Sequence, residues 1–354
     1  MIVLGIETSC DETSVAVLDG DGRVLSNVVS SQMRAHAPYG GVVPEVAARA
    51  HLENLPAVLE EALACAGVRL EDVGLVAATA GPGLIGALLV GLSAAKALAF
   101  ARAIPLVGVN HLEGHLFSAY LREGAEAPLP VTYPFHGLVV SGGHAELVRV
   151  EEGAIHPIAR TRDDAPGEAF DKIARRTGLG YPGGPIVDRI AARGRADRHP
   201  FAIGRTNDGS RDFSFSGLKT AMLRQLEKLG IDGSPLDPEA LPADLVDLLA
   251  SFQHAIVAAL LDRVDSVHRD EGMRAIALSG GVAANSELRA ALAAWGSRRG
   301  VPVLLPERCF TTDNAAMIAW AGLLRFRRDG AKDPTEANAR SRWPLGTSFV
   351  GPAG

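Results

Sequence analysis

At 354 residues the chain exceeds the size at which one hydrophobic core stops growing, so two domains are expected. Hydrophobic residues make up 47% and aromatics only 5%, a balance suited to helices packed on largely parallel sheets. The net charge of −6 argues against indiscriminate nucleic-acid binding. Three scattered cysteines (Cys10, Cys65, Cys309) without CxxC spacing argue against a disulfide framework or a cysteine zinc site, and point to a reducing, cytoplasmic compartment.

Three β-branched runs, Ile2–Ile6, Ser14–Leu18 and Val24–Val29, open the chain as strands, with no signal peptide because Glu7 arrives too early. A helix over Pro44–Ala66, a strand over Leu75–Thr79, a helix over Leu84–Ala101 and a strand over Pro105–Val109 follow. Leu84–Ala101 is broken by glycines, Ser93 and Lys96, so a core helix is expected there and no membrane span. The pattern then restarts, with strands at Gly137–Val140, Glu146–Val150 and Ile155–Arg160 and a helix at Gly167–Thr177. After a polar, glycine-rich insertion at about 181–238 come helix Ala243–His268, strand Ala275–Leu278, helix Ala284–Trp295, strand Val301–Leu304 and helix Asn314–Phe326. Two such rounds predict a duplicated α/β fold with a cleft between lobes: 1–130, then 131–345, then a tail at 346–354.

The most informative motif is Asn110-His111-Leu112-Glu113-Gly114-His115, at the junction of a strand and a helix. Positions i and i+4 share a helix face, so both imidazoles can reach one metal ion. A zincin would place the general-base glutamate directly after the first histidine; here Glu113 comes one residue later and reads as N3 of a capping box begun by Asn110. The third ligand should come from the matching strand end of the other lobe, where Asp313 precedes the last helix, although an aspartate there also suits an N-cap. Two histidines and one carboxylate suit iron or zinc rather than Mg²⁺, which speaks against kinase chemistry.

Turns at Glu7–Ser14, Ser141-Gly142-Gly143-His144 and Ser279–Asn285 recur at similar places, as phosphate-cradling hairpins would. Gly81-Pro82-Gly83-Leu84-Ile85-Gly86 matches GxGxxG, but the next strand ends in Asn110-His111 where a dinucleotide fold wants an acid for the ribose. Two basic clusters (Arg189, Arg193, Arg195, Arg198, Arg205; and Arg325, Arg327, Arg328, Lys332, Arg340, Arg342) fit either solvated faces or an RNA footprint.

Gly5-Ile6-Glu7-Thr8-Ser9-Cys10-Asp11-Glu12-Thr13, His111-Leu112-Glu113-Gly114-His115, Val140-Ser141-Gly142-Gly143-His144, Gly167–Lys172, Tyr181-Pro182-Gly183-Gly184-Pro185, Asp212–Lys219 and Ser279–Asn285, in this order and spacing, resemble the bacterial TsaD family of tRNA adenosine threonylcarbamoyltransferases. The resemblance spans Met1 to about Leu345. It implies an actin-like, Hsp70-like ATPase fold. It also implies transfer of threonylcarbamoyl from threonylcarbamoyl-AMP to the exocyclic amine of the adenosine 3′ of the anticodon, in tRNAs reading codons that begin with A. Carried over by position, His111, His115 and Asp313 are metal ligands for Fe²⁺ first and Zn²⁺ second; Val139, Val140, Ser141, Gly142, Gly143, Asp171, Gly184, Asp188 and Asn285 are substrate-binding positions. Val139 replaces a tyrosine ligand of some relatives and cannot coordinate. Implied partners are tRNA, a paralogous subunit of the same fold (TsaB type) and a P-loop ATPase subunit (TsaE type), with no membrane. Asp11 and Glu12 stand on the first hairpin turn, where acids can orient the carbamoyl group or take the amine proton. The rival readings are a metallo-endopeptidase acting on sialoglycoproteins and a nucleotide-binding scaffold.

Overall fold

The structure, a computed structural model, describes residues 1–203, 209–331 and 336–347; Arg205, Lys332 and all but the first two residues of the expected tail lie outside the described residues. It divides into two compact units, one of Met1–Tyr133, Glu151–His156 and the chain from Pro306, the other of Pro134–Val150 and Pro157–Leu305.

The first unit is built on a five-stranded sheet in the order β3-β2-β1-β4-β5. Its strands are β1 (Ile2–Glu7), β2 (Glu12–Leu18), β3 (Val24–Ser31), β4 (Val73–Gly81) and β5 (Leu106–Asn110). β1 to β3 form an antiparallel meander, while β4 joins β1 and β5 joins β4 in parallel. Its helices are the short α1 (Met33–His36), α2 (Pro44–Ala66), α3 (Ile85–Arg102) and α4 (His111–Ser118). The second unit repeats the plan as β10-β9-β6-β7-β8, from β6 (Phe135–Val140), β7 (Ala145–Glu151), β8 (Ala154–Arg160), β9 (Ile276–Ser279) and β10 (Val303–Leu304). Again the hairpin pair β6 and β7 is antiparallel, and β6, β9 and β10 run parallel. Its helices are α5 (Pro166–Arg176), α6 (Gly183–Ala191), α7 (Ser216–Lys228), α8 (Ala243–Glu271) and α9 (Ser286–Arg299). The duplicated α/β fold expected from the sequence is present.

Two features depart from the sequence reading. The insertion at 181–238 holds α6 and α7. α7 starts where the Asp163 carboxylate accepts from the backbone N–H groups of Phe215 and Ser216 at 2.8 and 3.3 Å, a cap supplied from some fifty residues away. The last helix, α10 (Ala315–Asp329), was expected with the second lobe but packs in the first unit, against β1, β2, β4 and α4. Its buried face is mostly small (Ala315, Ala316, Ala319, Ala321, Gly322), and β1 meets it at Gly5, where a Cβ would come 2.8 Å from the Ala319 Cβ. Small residues on both sides let helix and sheet approach closely. Asp313, just before α10, therefore belongs to the same unit as the histidines rather than to the other lobe.

Candidate active site

α4 begins immediately after β5, and Asn110 caps it: its Oδ1 accepts from the N–H groups of Leu112 and Glu113 at 2.9 and 3.3 Å. Among the described residues Glu113 makes no return bond to Asn110, so only half of the predicted capping box forms. The cap fixes the start of the helix and turns His111 and His115 to one side, their rings in a T-shaped contact 4.6 Å apart. The corresponding cap of α10 is Asn314, which accepts from Met317 N–H at 3.1 Å. That relieves Asp313 of the capping role an aspartate there would suit. Its Oδ1 lies 3.0 Å from His115 Nε2 and 3.5 Å from His111 Nε2. Donor atoms of all three residues lie within 4.8 Å of one another, so the group could hold one metal ion. Cys309 stands apart, in an exposed grouping with Glu123 and Glu307.

Behind the histidines lies a carboxylate that the sequence reading did not single out. Glu7, fully buried at the end of β1, accepts from His111 Nδ1 at 3.0 Å and from Thr79 Oγ1 at 2.6 Å, and also from Ser9 N–H. An imidazole that donates from Nδ1 presents an unprotonated Nε2, the tautomer a metal requires. Burial works against charge on Glu7 and on His111, yet their mutual attraction, joined by Asp313, outweighs it: Glu7 is held below its ordinary value and His111 well above its own. Burial likewise opposes charge on Asp313, and the two histidines overcome it and hold the carboxyl far below the usual range. Two buried carboxylates around imidazoles make a spot that demands positive charge, as protons or as a cation. The alternation of β1 gave a signal for Glu7: an acid in line with core residues.

Asp11 lies on the β1–β2 turn of the same unit, and Glu12 opens β2. Burial and the neighbouring Asp11 push the Glu12 carboxyl up to about 9, and Ser31 Oγ donates to it at 2.9 Å. The turn is propped from below by His51 of α2, also missed in the sequence, whose Nε2 meets the Cys10 carbonyl at 3.0 Å and whose Nδ1 meets Thr13 Oγ1 at 2.8 Å. Burial lowers the His51 pKa, so the ring is neutral and can make both bonds.

The second unit collects the other sequence-predicted positions. Val139 and Val140 end β6 with side chains wholly buried in the core, which leaves only their backbone for any ligand. The turn beyond them is closed by Ser141 N–H to His144 O at 2.8 Å, whereas the N–H groups of Gly142 and Gly143 donate to nothing among the described residues. Both glycines are exposed, with open space where a Cβ would be. Gly167 opens α5 against this turn, and a Cβ there would lie 2.7 Å from Gly142 Cα. Asp171 accepts from Gly183 N–H at 2.7 Å and so fixes the turn that carries Gly184. Asp188 and Asn285 are hydrogen-bonded to each other at 3.1 Å. The GxGxxG segment in the first unit is occupied by the protein itself: Leu84 N–H donates to Ser9 O at 2.9 Å and Gly83 N–H to Ser341 O at 3.3 Å. The amides of the glycine turn itself are thus spent within the protein.

Residues 23–320 match the family signature of TsaD, tRNA N6-adenosine threonylcarbamoyltransferase. A protein of that description from Sorangium cellulosum is 49% identical over 357 residues, covering 98% of this chain and 97% of the relative; one from Geobacter sulfurreducens is 48% identical over 346 residues, with the same coverage. The chain belongs to the TsaD family. Among solved structures, component A of the Acidaminococcus fermentans (R)-2-hydroxyglutaryl-CoA dehydratase aligns with a TM-score of 0.54 at 15% identity, covering 93% of this chain and 98% of that one. HypF of T. kodakarensis aligns at 0.60 and 16%, covering 92% and 48%. These two show that the fold is the actin-like, Hsp70-like α/β architecture.

In this TsaD family member the two basic clusters are largely used internally. Arg193 pairs with Glu239 at 3.1 Å, Arg195 with Asp197 at 3.3 Å and Arg328 with Asp329 at 2.6 Å. Arg325 donates to Gly108 O at 3.1 Å and, like Arg340, lies over the Trp343 ring. Among the described members only Arg189 and Arg342 lack a polar or ring partner. Two helices, α3 and α8, are long and apolar enough to cross a membrane by length and composition. α8 is mostly buried in its unit, but α3 is buried along one face only, with Ile85, Leu89 and Phe100 exposed on the rest.

Proposed function

We propose that this chain transfers the threonylcarbamoyl group of threonylcarbamoyl-AMP to N6 of the adenosine 3′ of the tRNA anticodon, with His111, His115 and Asp313 holding one divalent cation. The observation that carries the reading is the convergence of those three side chains, freed for the purpose because Asn314 and not Asp313 caps α10. Donor separations of 3.0 and 3.5 Å suit atoms sharing one ion at about 2.1 Å. Imidazole and carboxylate donors suit both Fe²⁺ and Zn²⁺, and Fe²⁺ is the ion we propose.

When bound, such a cation supplies Lewis-acid polarisation of the carbamoyl oxygen. The remaining chemistry falls to the chain. The amine nitrogen forms a bond to the carbamoyl carbon, the carbon–oxygen bond to the phosphate breaks, AMP leaves with the electron pair, and the amine loses a proton. Glu12, protonated at neutral pH, donates a hydrogen bond that orients the carbamoyl group, which leaves Asp11 to take the proton. Glu7 holds His111 in the tautomer that coordinates. In the second unit the open amides of Gly142 and Gly143 suit phosphate oxygens, and Asp171 and Asp188 suit ribose hydroxyls.

The apolar outer face of α3 supports assembly with a paralogous subunit of the same fold, alongside a P-loop ATPase subunit and tRNA, in the cytoplasm. Mixed with the paralogue, the chain should elute from size exclusion as one heterodimer; two independent monomers would exclude that face. The activity is tested with labelled threonylcarbamoyl-AMP and tRNA, using His111→Ala and Asp313→Ala as controls. Label in tRNA that disappears in both variants supports the transferase. His111-dependent cleavage of a sialoglycoprotein by repurified protein, without label in tRNA, would replace it with the peptidase.

A further inference from the structure

We propose that Gln253 is a positioning residue of the adenylate site: it locks Asp188 and Asn285 together so that one Asp188 oxygen is reserved for the ligand. The proposal rests on the reading of that site given above.

Three helices meet here. Asp188 comes from α6, Gln253 from α8, and Asn285 precedes α9. Gln253 is 2% exposed and Asn285 7%, so an unmet donor or acceptor on either would be costly. Gln253 Nε2 donates to Asp188 Oδ1 at 3.1 Å, and its Oε1 accepts from Asn285 Nδ2 at 2.8 Å. Asn285 Nδ2 spends its other hydrogen on Asp188 Oδ1 at 3.1 Å, while Asn285 Oδ1 caps α9 through Leu288 N–H at 2.9 Å. An amide has two donors and one carbonyl oxygen, and all of Asn285's groups are engaged within the protein.

Asp188 is different. Its Oδ1 accepts from Gln253, Asn285, and the N–H and Oγ of Ser286. Among the described residues its Oδ2 accepts only from Ser286 N–H, at 3.1 Å. Each side-chain oxygen of the triad can accept two bonds, but Gln253 and Asn285 are buried and Asp188 is only partly so, which makes Oδ2 the acceptor of this triad that a ligand hydroxyl can reach. The asymmetry depends on Gln253. It presents a donor at one end and an acceptor at the other, and thereby fixes which Asp188 oxygen faces the triad. Leucine at 253 would do neither. Glutamate would keep the acceptor for Asn285 but set a second carboxyl against Asp188 Oδ1, where both cannot comfortably ionise. In the sequence this glutamine is lost inside an apolar helix.

The test is AMP binding by calorimetry on the full chain. Gln253→Leu should weaken AMP roughly tenfold. Because leucine could also loosen the fold, Gln253→Glu is the deciding variant. At about pH 5.5 its carboxyl holds a proton, donates to Asp188 and gives near wild-type affinity; by about pH 8 the proton is lost and AMP weakens roughly tenfold. The wild-type profile, which includes the nearby His254–Glu287 pair, is the baseline. Asp188→Asn, which replaces a carboxylate acceptor, should weaken AMP at both pH values. If Asp188→Asn weakens AMP while Gln253→Glu matches wild type throughout, the positioning role is overturned. If Asp188→Asn changes nothing, the adenylate site itself is wrong and the role falls with it.

Discussion

The two units share one strand order but use their equivalent turns for opposite charges. From the end of β1 to the start of β2 the chain carries Glu7, Asp11 and Glu12; between β6 and β7 it carries Ser141, Gly142 and Gly143, with no acid and two open amides. The glycine turns differ as well. After β4, Gly83 is packed so closely that a Cβ would lie 2.6 Å from Ser9 O, whereas Gly281 after β9 has open space. Topology alone therefore does not assign a ligand. An acidic turn beside histidines suits a cation, an amide-lined turn suits an anion, and one duplicated fold provides both.

The largest test of this division is removal of a ligand. His111→Ala or Asp313→Ala should abolish stoichiometric metal and lower transfer by about 10³-fold, while AMP affinity in the second unit stays within a factor of about two. Equal loss of AMP binding would mean that the two sets of residues are not separate functions. A smaller effect belongs to Glu7→Gln. With the buried acceptor weakened, His111 is no longer held in its coordinating tautomer, and metal affinity should fall about 10- to 100-fold in a competition titration. Affinity unchanged in Glu7→Gln would reduce Glu7 to packing.

Much of this architecture is legible in the sequence because it is local. Strand alternation, the Asn110 cap and the i, i+4 histidines are all read within a few residues. What was not legible depends on distant chain meeting in space. Asp313 stands out in the sequence as a candidate ligand but is expected in the other unit, because nothing in α10's own pattern says which sheet its alanines will cover. α7 was missed because its cap, Asp163, comes from elsewhere. Glu7, His51 and Gln253 were overlooked because single polar residues in apolar runs usually only satisfy the core, and their partners are 104, 41 and 65 residues away.

The glycine contrast gives a direct stability test. Gly83→Ala forces a methyl against Ser9 O and should cost about 1–3 kcal/mol, seen as a lower Tm. Gly142→Ala enters open space and should leave Tm within about one degree. Similar losses in both would show that the second turn is as tightly packed as the first.

The smallest effect sharpens the acidic turn. The Glu12 carboxyl is pushed up to about 9 from an ordinary 4.5, so the folded protein keeps a proton that the unfolded chain has already released. Between those two values the native state binds more protons than the unfolded one, and stability falls as pH rises; above about 9 the loss is complete. Glutamine at this position has no proton to lose. In chelator-treated protein, Glu12→Gln should therefore raise Tm by roughly 1–3 °C near pH 8, with the gain vanishing toward pH 4.5. The same variant separates two roles in catalysis. If Glu12 acts as a hydrogen-bond donor, the glutamine amide replaces it and transfer survives within a few-fold, whereas Glu12→Ala loses it. If glutamine is as inactive as alanine, the titrating proton is itself used, which makes Glu12 a general acid rather than a fixed hydrogen-bond donor.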